Sequence, residues 1–220
     1  MIKCYTVLLT FFIISSLVKV NAQSDWSFDV MTYNIKYDDK KDSINGWSAR
    51  KADVIGLINY HDPELFGTQE GLKNQLDDIK SGLEGYAYIG IGRDGGVGQG
   101  EYSAIFYDQQ VFELKDSGTF WLSENPHQPG KSWDAAFPRI CTWGRFAYKA
   151  TGQIILYFNT HFDHVGVTAR AESAKLILQA IKKQKEESDA TKIILTGDFN
   201  FTPDAAPYQL ITKEFADTFS

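Results

Sequence analysis

The stretch ILTGDFNFTP, residues 194–203, runs from an apolar strand pattern into a glycine, a carboxylate and an amide. Alternation along an extended backbone places Asp198 and Asn200 on one side and Phe199 on the other. Burying such polar groups unpaired costs roughly a few kcal/mol each, so the strand end needs partners or a cleft.

Three other strand-like segments end the same way. FDVMTYNI (28–35) alternates, is rich in β-branched and aromatic residues, and closes on Asn34. ELFGTQE (64–70) closes on Gln69 and Glu70, and IILYFNTH (154–161) on Asn159 and His161. Four such ends gathered together would satisfy one another or line a common site.

Between these segments the period switches repeatedly. Residues 47–60 read as a helix with Ser48 as cap and Val54, Ile55 and Ile58 on one face. Leu72, Leu76, Ile79 and Leu83 form a second helical stripe. Residues 168–183 form the longest helix, with Ala174, Ile177, Leu178 and Ile181 inward. YAYIGIG, YSAIFY, FELKDSGTFWL and ICTWGRFAYK read as further strands, and GRDGGVGQGE (92–101) as a glycine-rich loop. Short successive strands with few helices between them predict an α+β fold, a four-layer α/β sandwich of two packed mixed sheets flanked by helices.

The donor types point to a metal. Carboxylates at Glu70 and Asp198 and amides at Asn34 and Asn200 suit a hard divalent cation, Mg²⁺ foremost and Mn²⁺ as its substitute. Zn²⁺ would want a closer set of His and Cys. No G-x-S-x-G elbow is present, and the glycine-rich loop lacks the G-K-[ST] ending of a P-loop.

Taken in order, MTYNIKYD (31–38), PELFGTQE (63–70), FNTHFDH (158–164) and ILTGDFN (194–200) resemble the endonuclease/exonuclease/phosphatase superfamily, with its deoxyribonuclease I-like fold. The blocks GRDGGVGQGEYSAIFY, GTFWLSENP, SWDAAFPRICTW and NTHFDHVGVTAR are similar to a secreted bacterial branch of it. The resemblance implies Glu70 as principal metal ligand, with Asn34 beside it at metal or phosphate. It implies His161 on the scissile phosphate, Asp198 activating the attacking water and Asn200 holding phosphate oxygens. Arg139 is expected to add a charge-assisted phosphate contact. Glu101 and Tyr102 are expected to shape the entrance. The implied activity is Mg²⁺-dependent hydrolysis of a phosphate ester, a phosphodiester first, by a monomer. Nucleic acid enters only as a possible substrate. The other reading is a non-catalytic module that binds phosphate ligands or nucleic acid; within enzymes, sugar-phosphate and lipid substrates stay open. The family's terminal Ser-Asp-His element has no match here, so the sequence is expected to be a C-terminally incomplete fragment lacking at least two strands.

Several other polar residues keep two readings. Asp163 and His164 either support the site or cap a loop. Arg93 and Lys131 are expected to be solvated loop charges, and Trp121, Trp133 and Trp143 to pack in the core or its rim.

The N-terminus and the charge bound the setting. Residues 1–22 have the layout of a secretory signal peptide, with cleavage expected after Ala22 and the domain running over 23–220. Export to the periplasm or beyond, without stable membrane insertion after cleavage, follows from that expectation. Losing Lys3 and Lys19 leaves 20 basic against 28 acidic residues, so the net charge moves from -6 to -8. That balance argues against general electrostatic binding of nucleic acid. Cys4 leaves with the leader, and Cys141 reads as a buried, inert thiol.

Overall fold

The structure is a computed structural model that describes residues 27–218. The expected signal peptide lies outside the described residues. No helix among the described residues is long and apolar enough to cross a membrane.

Among the described residues eight strands form two four-stranded sheets. In the first, β1 (Val30–Asn34), β2 (Leu65–Gly71), β4 (Tyr102–Asp108) and β3 (Tyr86–Ile89) lie in the order β1-β2-β4-β3. In the second, β5 (Phe112–Trp121), β6 (Ile140–Tyr148), β7 (Ile154–His161) and β8 (Ala190–Asp198) lie in sequence order. The pairs β1–β2 and β7–β8 are parallel and all others antiparallel.

Three apolar clusters explain the layering. Leu65, Ile105 and Tyr107 of the first sheet meet Phe112, Phe146, Ile155 and Tyr157 of the second. Helices α1 (Trp47–His61) and α2 (Lys73–Gly82) cover the outer face of the first sheet through Val54, Ile58, Leu76 and Ile79, packed on Phe66 and Phe106. Helix α3 (Val167–Glu186) covers the second through Ala174, Ile177 and Ile181, packed on Leu156 and Phe158. The result is the expected α+β, four-layer sandwich.

Three local expectations change. Ser48 does not cap α1. Gly46 occupies the cap position without a side-chain bond, and α1 begins at Trp47, whose indole N–H donates to Asp78 at 2.8 Å. Helix α4 (Ala206–Ile211) was not foreseen; six residues with a proline in second place carry too little periodicity to read. Its Leu210 and Ile211 join the cluster under α3. Finally, β8 ends at Asp198, and Asn200 lies beyond it with φ +50°, so simple alternation does not carry Asn200.

Strands β1 and β8 are the outer strands of their sheets. An apolar cleft of about 530 Å³ opens beside both, lined by Val30, Ile193, Leu195, Phe199, Phe201 and Tyr208 among others. Cys141 is fully buried, and burial pushes its thiol well above the usual range, which keeps it protonated and inert.

Candidate active site

The two parallel pairs decide where the polar strand ends go. Parallel strands finish at the same end of a sheet, so Asn34 lies in register with Gln69, and His161 with Asp198. The antiparallel neighbours β4 and β6 begin at that end, which adds Glu101 and Arg139 from the residues just before them. One rim of the sandwich therefore receives side chains from six segments.

Asn34 is the joint between the sheets. Its Nδ2 donates to Glu70 Oε1 and to Asp198 Oδ2, both at 2.9 Å. Its Oδ1 accepts from the Lys36 backbone N–H at 3.0 Å, which fixes the orientation of the amide because that N–H can only donate. Arg50 of α1 braces the same turn by donating to the carbonyls of Ile35 and Lys36.

Glu70 reaches this point through a bulge. The β2–β4 register slips between Thr68 and Gly71, and Glu70 adopts φ +64°. Bulges re-aim side chains, and a non-glycine residue held in the left-handed region marks a position the surroundings over-determine. The other carboxylate oxygen of Glu70 accepts from Tyr37 N–H at 3.2 Å.

On the second sheet, Gly197 lets β8 approach β7 closely; a Cβ there would lie 2.5 Å from the Thr160 carbonyl oxygen. His161 Nε2 sits 3.8 Å from Asp198 Oδ2, beyond hydrogen-bond reach. Burial first, and then the Arg139 charge, push His161 down to about 4, so the ring is neutral near pH 7. Asn200 donates its amide to the Phe162 carbonyl at 3.0 Å and its backbone N–H to Asp198 Oδ1 at 3.1 Å. Asn34, Glu70, His161, Asp198 and Asn200 are thus brought together.

Arg139 is 5% exposed and held from behind. Asp163 Oδ2 accepts from its Nε at 3.4 Å, and its Nη2 lies 3.1 Å from His164 Nδ1. Its Nη1 has no partner among the described residues. It shares a crevice with His161. Asp163 also accepts backbone N–H bonds from Ala136, Phe137, Val165 and Gly166. Burial alone would raise its pKa; those N–H donors reverse the effect and hold the carboxyl far below its usual range. Asp163 therefore does both things the sequence left open, shaping the loops and supporting Arg139, and His164 supports Arg139.

Two of the polar strand ends, Asn159 and Gln69, are buried at the foot of the rim. Asn159 is fully buried and satisfies all four of its bonding groups. It accepts from Gln69 Nε2 at 2.8 Å and Thr196 Oγ1 at 3.1 Å, and donates to the carbonyls of Thr68 and Ala104 at 2.9 Å. Gln69 donates onward to Thr32 Oγ1. This network clamps sheet to sheet beneath the site. Arg93 also departs from expectation. It is not a solvated loop charge; it forms a two-pronged pair with Glu101 at 2.8 Å on each prong.

The donor set fits a hard cation. Glu70 and Asp198 supply carboxylate oxygens held near each other by one amide, and Asn200 lines the same cleft as Asp198. Among the described residues no three His, Cys, Asp or Glu side chains gather into a closed cage. An oxygen-rich half-shell of this kind suits Mg²⁺, which keeps several waters, better than Zn²⁺.

Comparison with known proteins gives the same direction. Residues 31–218 match the model of the Endonuclease/Exonuclease/phosphatase family. The chain is similar to a solved mannosyl-6-phosphatase of Bacteroides thetaiotaomicron: 44% identity, TM-score 0.82, over 86% of this chain and 71% of that one. It is 23% identical to protein angel of Drosophila melanogaster, over 88% of this chain and 58% of that protein. An uncharacterized protein of Acanthamoeba polyphaga mimivirus is 30% identical over 47% of this chain and 17% of its own length. The chain thus spans less than two thirds of these curated relatives.

Proposed function

The chain belongs to the endonuclease/exonuclease/phosphatase family, and on that premise we propose that it is a Mg²⁺-dependent phosphate-ester hydrolase. The observation that carries this reading is the single amide of Asn34 binding Glu70 from one sheet and Asp198 from the other. Glu70, oriented by the Asn34 amide, would hold the cation, which when bound supplies positive charge to offset the negative charge developing on the phosphoryl oxygens.

The chain's own groups do the rest. Asp198 takes a proton from the attacking water, whose oxygen bonds to phosphorus as the ester oxygen leaves on the opposite side and takes its proton from solvent. Neutral His161 offers its N–H to a phosphoryl oxygen, and Arg139 adds a charge-assisted contact through its unpaired Nη1. Asn200 fixes Asp198 from the backbone and presents its amide to the same oxygens.

Of the ester classes, a sugar phosphomonoester is favoured over the diester expected from the sequence. The likeness to the mannosyl-6-phosphatase supports this. The test is turnover of p-nitrophenyl phosphate, bis-p-nitrophenyl phosphate, hexose 6-phosphates, DNA and RNA, with and without Mg²⁺. Glu70→Ala and Asp198→Ala serve as controls. Equal turnover in wild type and both variants would overturn the assignment.

A further inference from the structure

The glycine-rich loop doubles back on itself. Bridges join Gly92 to Gly96 and Gly96 to Gln99, and Arg93 N–H donates to the Glu101 carbonyl at 2.9 Å. This closes Arg93 and Glu101 into their two-pronged pair, with side chains only 14% and 18% exposed. The Trp121 indole N–H anchors the Arg93 carbonyl at 2.7 Å, and Phe137 lies under the guanidinium at 5.1 Å.

The pair opens on the crevice that also reaches His161 and Arg139. That crevice holds about 10 Å³ of open space, room for one water-sized group. Two buried N–H groups from its lining residues, Arg93 Nε and Arg139 Nη1, have no partner among the described residues. Buried donors of that kind are costly unless something fills the gap.

The charges separate the roles of the two arginines. Arg139 can meet a phosphate. Arg93 cannot do so cleanly, because Glu101 beside it would repel a phosphoryl dianion. As a pair they are neutral overall, with carboxylate lone pairs to accept an O–H and a guanidinium N–H to donate back. That combination matches an alcohol, not an anion.

We propose that the Arg93–Glu101 pair is a hydroxyl-binding subsite that determines specificity for a polyhydroxylated, uncharged leaving group of the hexose class. Because Glu101 already takes Nη1 and Nη2, one ring hydroxyl donates to Glu101 while the hydroxyl next to it on the ring accepts from Arg93 Nε. The inference rests on the phosphate-ester reading above and adds to it the identity of the group released.

The experiment compares kcat/KM for mannose 6-phosphate and for p-nitrophenyl phosphate, which has no hydroxyl to offer, in the full chain with Mg²⁺. Variants are Glu101→Gln and Arg93→Lys, each also followed by thermal melting so that a folding defect is seen directly. Losing one charge-assisted hydrogen bond should lower the sugar-to-aryl ratio about tenfold or more, mainly through KM. A ratio equal to wild type in both variants overturns the subsite. So does a wild type that hydrolyses the aryl ester and rejects hexose phosphates. A wild type inactive on every phosphate ester overturns the underlying functional reading instead.

Discussion

Asn34 of β1 donates to Asp198 of β8 at 2.9 Å, a bond between residues 164 positions apart that joins the two sheets at the reactive rim. The same amide nitrogen holds Glu70. Neither carboxylate is placed by its own strand alone.

Asn34→Ala should therefore weaken the cation site without removing either carboxylate. Losing an outer support of this kind typically costs about 10–100-fold in metal affinity. Titrating activity with Mg²⁺ should show the half-saturating concentration rising by that factor, with activity partly recovered at high Mg²⁺. A half-saturation equal to wild type would show that Glu70 and Asp198 are positioned without the amide.

Chelation should abolish turnover, and Mg²⁺ or Mn²⁺ should restore it. Because a cation that binds only the folded chain stabilises it by mass action, the melting temperature should also rise with added Mg²⁺. Full activity in excess EDTA would remove the metal from the proposal.

Asn159→Leu tests the clamp beneath the site. The change strands the side chain of Gln69 and the carbonyls of Thr68 and Ala104, all buried partners of Asn159. Each unsatisfied buried group costs about 1–3 kcal/mol. Urea unfolding should show a loss of at least about 3 kcal/mol, a large share of a typical domain's stability. A loss below about 1 kcal/mol would mean that the network contributes little.

Asp163 sets part of the acid sensitivity. Its folded pKa lies below the unfolded value of about 3.9, so its contribution is full above that pH and disappears as pH falls through the folded value. Asp163→Asn has no such proton to bind. The variant should be less stable than wild type near pH 7, and the gap should narrow as the pH drops below about 4. A gap that stays constant from pH 7 to pH 3 would contradict the role given to this carboxylate.

Much of the layering was legible along the chain. Alternation marks β1, short apolar runs mark β2, β7 and β8, and helical spacing at Val54 and Ile58, or Ala174, Ile177 and Ile181, marks the faces that meet the sheets. The polar terminations at Asn34, Glu70, His161 and Asp198 were legible as well, since an apolar strand ending in carboxylate or imidazole breaks the pattern of burial. Helix α4 and the cap of α1 were not, because a six-residue helix and a cap without a side-chain bond leave almost no periodic signal.

The sequence by itself determined which residues are chemically able to act, because residue type and strand period are local properties. Only the tertiary structure decided which of them meet. The parallel pairs bring four strand ends to one rim. The bulge at Glu70 turns its carboxylate toward Asn34. Burial makes Asn159 a clamp rather than a ligand, and the loop's return makes Arg93 and Glu101 partners. Each of these depends on the register between segments far apart in the chain, and register is set by packing across the two sheets, not by any stretch read alone.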